Sequence, residues 1–339
     1  MICQSMKQTL IDKPICLHYY VASKPLIAVS ACLTGQKVQH NGEAAELQTL
    51  PKGWSKHLEL LSICPEIEIG MKVPRPATRL VKENGKLRLV TQQNSVDYTD
   101  RMLEYSQIQS DYLASAGVCG FIFKNDSATC GLEKVGVHNA DFSELSNNGR
   151  GLFATVFTTF NPHIPTIEGE KLIDEEQSEH FLARVHFFHE WQSLGKSGWN
   201  AKKIMTFHNE SKLFLLSRAP QMKRILGRMI ATRLDEGAHP EIIALEYMTK
   251  AQKALSLTTK KGRIAHTMER VFGKISNQLS KQERQELIEL IHGFRQGFVP
   301  KSAPMLLLNK YLGKYNLNDK NINRFINPVP HGMDLLRRV

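Results

Sequence analysis

Three cysteines stand where a sheet can do chemistry. Leu26-Ile-Ala-Val-Ser-Ala31 reads as a buried strand by its length and β-branching, and it runs directly into Cys32. Leu58–Ile63 is a second short apolar run and ends at Cys64-Pro65-Glu66. Val118–Phe123 is a third, followed by the loop Lys124-Asn-Asp-Ser-Ala-Thr-Cys-Gly131, which carries Cys130. In open α/β sheets the ligand crevice lies beyond the carboxyl ends of the strands. Cys32, Cys64 and Cys130 therefore reach one edge of one sheet, as a thiolate-ligated site would need. Two plainer outcomes stay open, namely three buried thiols without metal and a zinc ion on the same ligands. There is no CxxC pair, which removes the zinc ribbon and the thioredoxin-type site. Cys119 alternates with Phe121 and Phe123 and reads as core, while Cys3 and Cys16 read as surface or core thiols.

The elements around these positions form an α/β pattern. A hairpin is expected over Arg79–Val90 around Asn84-Gly85, and a helix over Tyr98–Ala116 with Thr99 as its cap, Met102, Tyr105 and Tyr112 on its apolar face and Gly117 as its stop. Strand, helix and strand with crossovers predict a Rossmann-like, mainly parallel sheet over residues 25–160, preceded by an extension over 1–24. Asn161-Pro-His-Ile-Pro-Thr-Ile-Glu-Gly169 reads as a hinge, giving a linker over 161–170. From 171 to 339 no strand pattern is convincing. Amphipathic helices are expected over 176–191, 201–217, 220–234, 240–255, 261–276, 281–295 and 304–315, with Ser280-Lys-Gln-Glu283 as a capping box. An all-α bundle is the result.

Charge divides the chain in the same way. Residues 1–200 hold 19 Lys+Arg against 22 Asp+Glu, a balance of −3, and residues 201–339 hold 25 against 11, a balance of +14. This asymmetry points to a polyanion held by the second part, with solvated helix faces as the bland alternative. Lys202, Lys203, Lys212, Arg218, Lys223, Arg224, Arg228 and Arg233 cluster within about two helices, and Lys260, Lys261 and Arg263 form a second knot. No apolar run approaches the roughly 18 residues of a membrane span. The first residues lack a long apolar core and a small-residue cleavage site, so a cytoplasmic protein is expected. His189, His208 and His266 lack metal spacing and read as structural or RNA-contacting.

Val29-Ser-Ala-Cys-Leu-Thr-Gly35, Cys64-Pro-Glu66, Pro74-Arg-Pro76 and Lys124–Gly131 together resemble the thiouracil desulfidase family. Phe207-His-Asn-Glu-Ser-Lys-Leu-Phe-Leu-Leu216, Leu226-Gly-Arg228 and Leu287–Gly297 with Val299-Pro300 resemble the helical domain fused to that module in bacterial tRNA 4-thiouridine desulfidases. The resemblance runs from about residue 25 to the C-terminus. The last motif departs from the family's Lys-Ser-Arg-Ser-Pro-Ser-Cys-Gly while keeping its lysine, second serine and Cys-Gly. It implies a 4Fe–4S cluster on Cys32, Cys64 and Cys130, tRNA as partner and a thiolated uracil base as substrate. Iron–sulfur clusters usually take four thiolates, so three leave one iron open, and a soft thiocarbonyl sulfur suits that iron better than a carbonyl oxygen does.

By the same resemblance Glu66 is the expected general acid/base, and Ser127 is expected to hydrogen-bond the substrate or pass a proton. A dipole-stabilised carboxylate and a turn-forming serine are the alternatives. Arg75 and Lys124 are expected to pair with substrate or a phosphate, or else to be salt-bridge residues. Lys202, Lys203, Arg224 and Arg228 are expected on the tRNA backbone.

Overall fold

The computed structural model describes residues 22–44, 54–93, 95–257 and 259–329. Cys3, Cys16 and nearly all of the 1–24 extension lie outside them. The first half of the chain is built from β1 (Leu26–Ser30), α1 (Trp54–His57), β2 (Glu59–Ile63), α2 (Pro65–Glu68), β3 (Thr78–Glu83), β4 (Lys86–Thr91), α3 (Thr99–Ser115), β5 (Val118–Phe123), β6 (Val135–His138), β7 (Glu144–Gly149), α4 (Leu152–Phe160) and β8 (Thr166–Glu168). One sheet has the order β2-β1-β5-β8 and is parallel throughout. The chain leaves β1 to one side for β2 and returns on the other side as β5, which places a topological switch point at β1. A second sheet has the order β4-β3-β6-β7, with antiparallel outer pairs and a parallel β3–β6 pair. The β3–β4 turn forms as expected, with Asn84 and Gly85 both at positive φ.

Beyond β8 every described element is helical: α5 (Glu175–Gly195), α6 (Ala201–Glu210), α7 (Lys212–Arg218), α8 (Pro220–Asp235), α9 (Pro240–Leu255), α10 (Lys261–Ile275), α11 (Lys281–Gln296), α12 (Ser302–Lys314) and α13 (Lys320–Ile326), with short 3-10 turns between some of them. Among the described residues an α/β region is thus followed by helices alone. One core runs without a break from the parallel sheet into α5, α6, α8 and α9, and a second fills the space among α10 to α13. The contact of α5 with the sheet is set by Gly120, where a Cβ would come within 2.8 Å of Val185 and 3.1 Å of Phe181. No other residue type lets the helix come so close.

Four expectations are corrected. The segment read as a hinge supplies β8, whose three residues between Pro165 and Gly169 are too few to show a pattern. Thr99 is the first residue of α3 rather than its cap. Its hydroxyl accepts from Leu89 N–H at 2.9 Å, while Asp97 accepts from Thr99 N–H at 2.8 Å. Tyr112 is exposed, and Leu113 takes the buried position beside Met102. The single helix expected over 201–217 breaks at Ser211 into α6 and α7, because the Leu213 N–H is drawn to Asn321 Oδ1 at 2.8 Å and the Ser211 oxygen accepts from Arg324 at 2.6 Å.

Candidate active site

The carboxyl edge of the parallel sheet opens into a cavity of about 460 Å³ at the switch point. Cys32, Cys64, Glu66, Arg75, Lys124, Ser127 and Cys130 all line it. Cys32 sits in a 3-10 turn (Ala31–Thr34) that continues β1 and ends at Gly35, in the left-handed region at φ 86°. Cys64 precedes α2, whose first residue is Pro65. Cys130 closes the loop after β5, and that loop is fixed by two close approaches. A Cβ on Gly131 would come within 2.4 Å of Val135 and 2.9 Å of the Ser127 carbonyl, and one on Gly151 within 2.4 Å of the Thr129 carbonyl. The first turn of α4 docks onto the same loop, with Leu152 N–H donating to Ala128 O at 3.0 Å and Ala154 N–H to Thr129 O at 3.2 Å. The strand ends are tied as well: Lys124 N–H donates to Ser30 Oγ at 3.0 Å, joining β5 to β1.

Burial dominates the thiols. It pushes Cys32 up to about 11, with the Lys124 charge working against it and Cys64 adding to it. Burial also raises Cys64, opposed by the backbone N–H groups of Ile67 and Glu66 and by Arg75. Cys130 is raised well above the ordinary thiol value by burial, with Glu66, Cys32 and Cys64 contributing. All three are therefore protonated at neutral pH unless a cation takes the proton's place. Among the described residues no group of three or more His, Cys, Asp or Glu is gathered as it would be around a single metal ion. Cys119 lies fully buried, its thiol donating to Gln192 Oε1 at 2.9 Å, and takes no part in the cavity.

Glu66 is the best-held group in the site. Arg75 donates to its Oε2 from Nε at 3.0 Å and from Nη2, while Thr129 and Thr78 donate to its Oε1 at 2.8 Å and 3.3 Å. Arg75 is itself anchored on the Val38 carbonyl at 2.8 Å. Its side chain is 5% exposed against 16% for Glu66. Arg75 is thus engaged as a salt-bridge residue. The Ser127 oxygen accepts from Thr129 N–H at 3.3 Å and Cys130 N–H at 3.0 Å, so the serine holds the turn that presents Cys130. Lys124 Nζ donates to the Asn125 carbonyl at 2.9 Å. Thr129 and Thr78 escaped the sequence reading, although Thr129 adjoins Cys130 in a loop already singled out. Nothing local marks Thr78.

The basic residues of the second part divide. Lys202, Arg224 and Arg228 are exposed and Lys203 is half-buried, with Arg224 and Arg228 one turn apart along a groove on α8. Arg218 is buried, and Arg233 is paired with Glu236 and Glu246, so neither belongs to a free phosphate-binding face. His208 is buried, its Nδ1 3.3 Å from the Tyr247 hydroxyl, and Gly227 leaves room for its ring where α6 meets α8. His189 meets the Ala22 carbonyl at 3.1 Å. Among the described residues no helix is long and apolar enough to cross a membrane.

Residues 27–169, which contain the whole cavity, match the family described as 2-thiouracil desulfurase, and residues 212–330 match the family described as a protein of unknown function, DUF1722. Among individual proteins, the chain is similar to the uncharacterized protein YbgA of Escherichia coli (strain K12), at 24% identity over 134 residues, covering 40% of this chain and 79% of that one. Among solved structures it is similar to the [4Fe-4S]-dependent thiouracil desulfidase TudS, at 24% identity and a TM-score of 0.36, covering 44% of this chain and 95% of that chain.

Proposed function

We propose that this chain is an iron–sulfur-dependent desulfidase that converts 4-thiouridine in tRNA to uridine and releases inorganic sulfide. The observation that carries the reading is the meeting of Cys32, Cys64, Cys130 and Glu66 on one cavity at the switch point, inside the segment that matches the 2-thiouracil desulfurase family. One buried thiol, Cys130, and two half-buried ones, Cys32 and Cys64, suit a 4Fe–4S cluster, because each ligand of a cube reaches a different iron and the thiols need not converge on one point. When bound, the cluster supplies an open iron that is a Lewis acid for a soft thiocarbonyl sulfur.

The rest is the work of the chain. The cavity is of a size for one heterocyclic base. Glu66, fixed by Arg75, Thr78 and Thr129, takes a proton from the water that attacks the thiocarbonyl carbon and returns one to the departing sulfur or the base. Water adds its oxygen and sulfide leaves with the protons, so no electron is gained or lost. Lys124 places a positive charge beside Cys32 and favours its thiolate. A base stacked in folded tRNA has to be turned out to enter the cavity. The balance of +14 over residues 201–339, with Lys202, Arg224 and Arg228 exposed, supports a tRNA grip on the helices. A tRNA substrate in turn places the reaction in the cytoplasm.

The test compares desulfuration of 4-thiouridine-containing tRNA with that of free 4-thiouracil, on anaerobically purified protein assayed for iron and sulfide. Faster turnover per encounter on tRNA is expected. Equal or better turnover of the free base would make the chain a salvage enzyme. Protein that holds no iron and releases no sulfide from either substrate would end the desulfidase reading.

A further inference from the structure

A second cavity, of about 1060 Å³, lies between the outer edge of the parallel sheet and the helices α5 and α9, and shares no lining residue with the cysteine cavity. Three arginines line it. Arg150 is engaged by the Leu132 carbonyl and the Thr158 hydroxyl, which leaves Arg184 from α5 and Arg218 from the last position of α7. They are 8% and 9% exposed. Each guanidinium carries five N–H donors. Among the described residues, Arg184 Nε donates to Gln252 Oε1 at 3.2 Å, and Arg218 Nη1 donates to Ser217 Oγ at 3.1 Å while its plane stacks on the Phe214 ring at 4.1 Å. Arg218 Nε is buried without a partner. Three of the acids on the lining have other partners, Asp174 and Glu176 stand exposed, and the Glu179 charge also reaches Arg218 and His180. Glu179 is paired with Lys301, Glu133 with Lys171, and Glu168 accepts the N–H groups of Leu132 and Glu133.

His180 lies one turn before Arg184 on α5, lines the same cavity, and has a buried Nε2 without a partner. Burial, reinforced by the charges of Arg184 and Arg218, holds its pKa down at about 4. At neutral pH the cavity therefore contains two buried guanidinium cations and a neutral imidazole with donor or acceptor capacity left over, beside Arg150, Lys171, Lys253 and Lys301 on the same lining. Burying a guanidinium without an anion is costly, and proteins ordinarily pair such a group.

We propose that this cavity is a binding site for a small phosphorylated molecule of nucleotide size, with its phosphate held between the forks of Arg184 and Arg218. Planar guanidinium forks match phosphate oxygens bidentately, and Gln252 keeps Arg184 aimed by donating back to the Arg184 carbonyl at 3.1 Å. The volume is at the upper end of small-molecule pockets and far exceeds what a bare phosphate fills. A nucleic-acid strand fits less well, because Asp174 and Glu176 line the same cavity, are exposed, and repel a run of phosphates. The site does not depend on the desulfidase reading, since neither arginine lines the cysteine cavity.

The experiment uses the full chain in phosphate-free buffer, titrated with inorganic phosphate, UMP and an unmodified tRNA transcript, and read by calorimetric affinity and thermal melting. UMP at a hundredfold over its Kd should raise Tm by roughly 4 °C. Arg184→Met and Arg218→Met should each weaken UMP at least tenfold while leaving the ligand-free Tm unchanged or higher, because each removes an unpaired buried charge. Arg218→Lys keeps the charge and loses the fork. It covers the case in which the Met variant does not fold, and should still bind at least tenfold more weakly. Absence of any Tm rise with phosphate or UMP overturns the site, as does a rise that survives in all three variants. A lower ligand-free Tm with unchanged affinity would make the arginines structural. Loss of tRNA binding without loss of UMP binding would assign the cavity to RNA instead.

Discussion

On the proposed function, the cysteine cavity and the basic helices solve different problems with different means. In the cavity one carboxylate, Glu66, is held by Arg75 just before β3, by Thr78 at the start of β3 and by Thr129 from the loop after β5. On the helices, Lys202, Arg224 and Arg228 stand exposed, and α8 needs only to keep two arginines one turn apart. Chemistry on a single bond requires fixed geometry, whereas attraction of a polyanion requires charge density. Substitutions in the cavity should consequently act as steps and those on the helices as increments.

The largest step is loss of a thiol. On the proposed function, Cys32→Ala, Cys64→Ala and Cys130→Ala each remove iron and all turnover, while Cys119→Ala keeps both, as measured by iron analysis and visible absorbance. Iron retained in Cys64→Ala would break the ligand assignment. Next is Glu66→Gln, which preserves the shape and three of the neighbours. It should keep iron near wild type and cut turnover by about 10²–10⁴-fold, the usual range for a general acid/base. Loss of iron together with activity would show instead that the Arg75 pair supports the fold of the loop.

The helices are tested by reversing charge at Lys202, Lys203, Arg224 and Arg228 together. Affinity for tRNA should drop by about a hundredfold or more, and the slope of log affinity against log salt should flatten by about 3. Turnover of free 4-thiouracil should stay as it was. Equal loss on both substrates would mean that these helices matter for folding, and the contrast between the two regions would disappear.

Much of this contrast was legible in the sequence, and the limits are physical. Leu26–Ser30 and Val118–Phe123 announce themselves because a strand buried on both faces is a run of apolar residues, and the cysteines follow at the strand ends. Glu144–Gly149 is half polar and mostly exposed, so its place beside β6 left no periodic trace. The Glu66 network is invisible for a different reason. Thr129 is 63 positions from Glu66 and meets it only once β2 and β5 flank β1. Arg218 illustrates the converse error: its charge placed it in the surface cluster, but position at the end of α7 turned it inward.

The smallest predicted effect concerns acid stability, and it separates the packed interior from the cavity. His163, His180, His186 and His208 are all held down to about 4, chiefly by burial. His163 is the clearest case, since both ring nitrogens are buried without a hydrogen-bond partner and its ring meets Phe188 edge-on at 5.4 Å. A histidine with a folded pKa near 4 and an unfolded value near 6.5 binds its proton more readily when unfolded. Its contribution to stability is then complete above pH 6.5 and is lost as pH falls from there toward 4. At pH 5 one such residue accounts for about 2 kcal/mol. His163→Phe fills the same edge-on position without a titratable group, so urea melts should show a shallower decline between pH 6.5 and 4 and a gain over wild type at pH 5. An unchanged slope would mean that His163 finds water or a partner on acidification, and that the acid sensitivity resides in the three helical histidines.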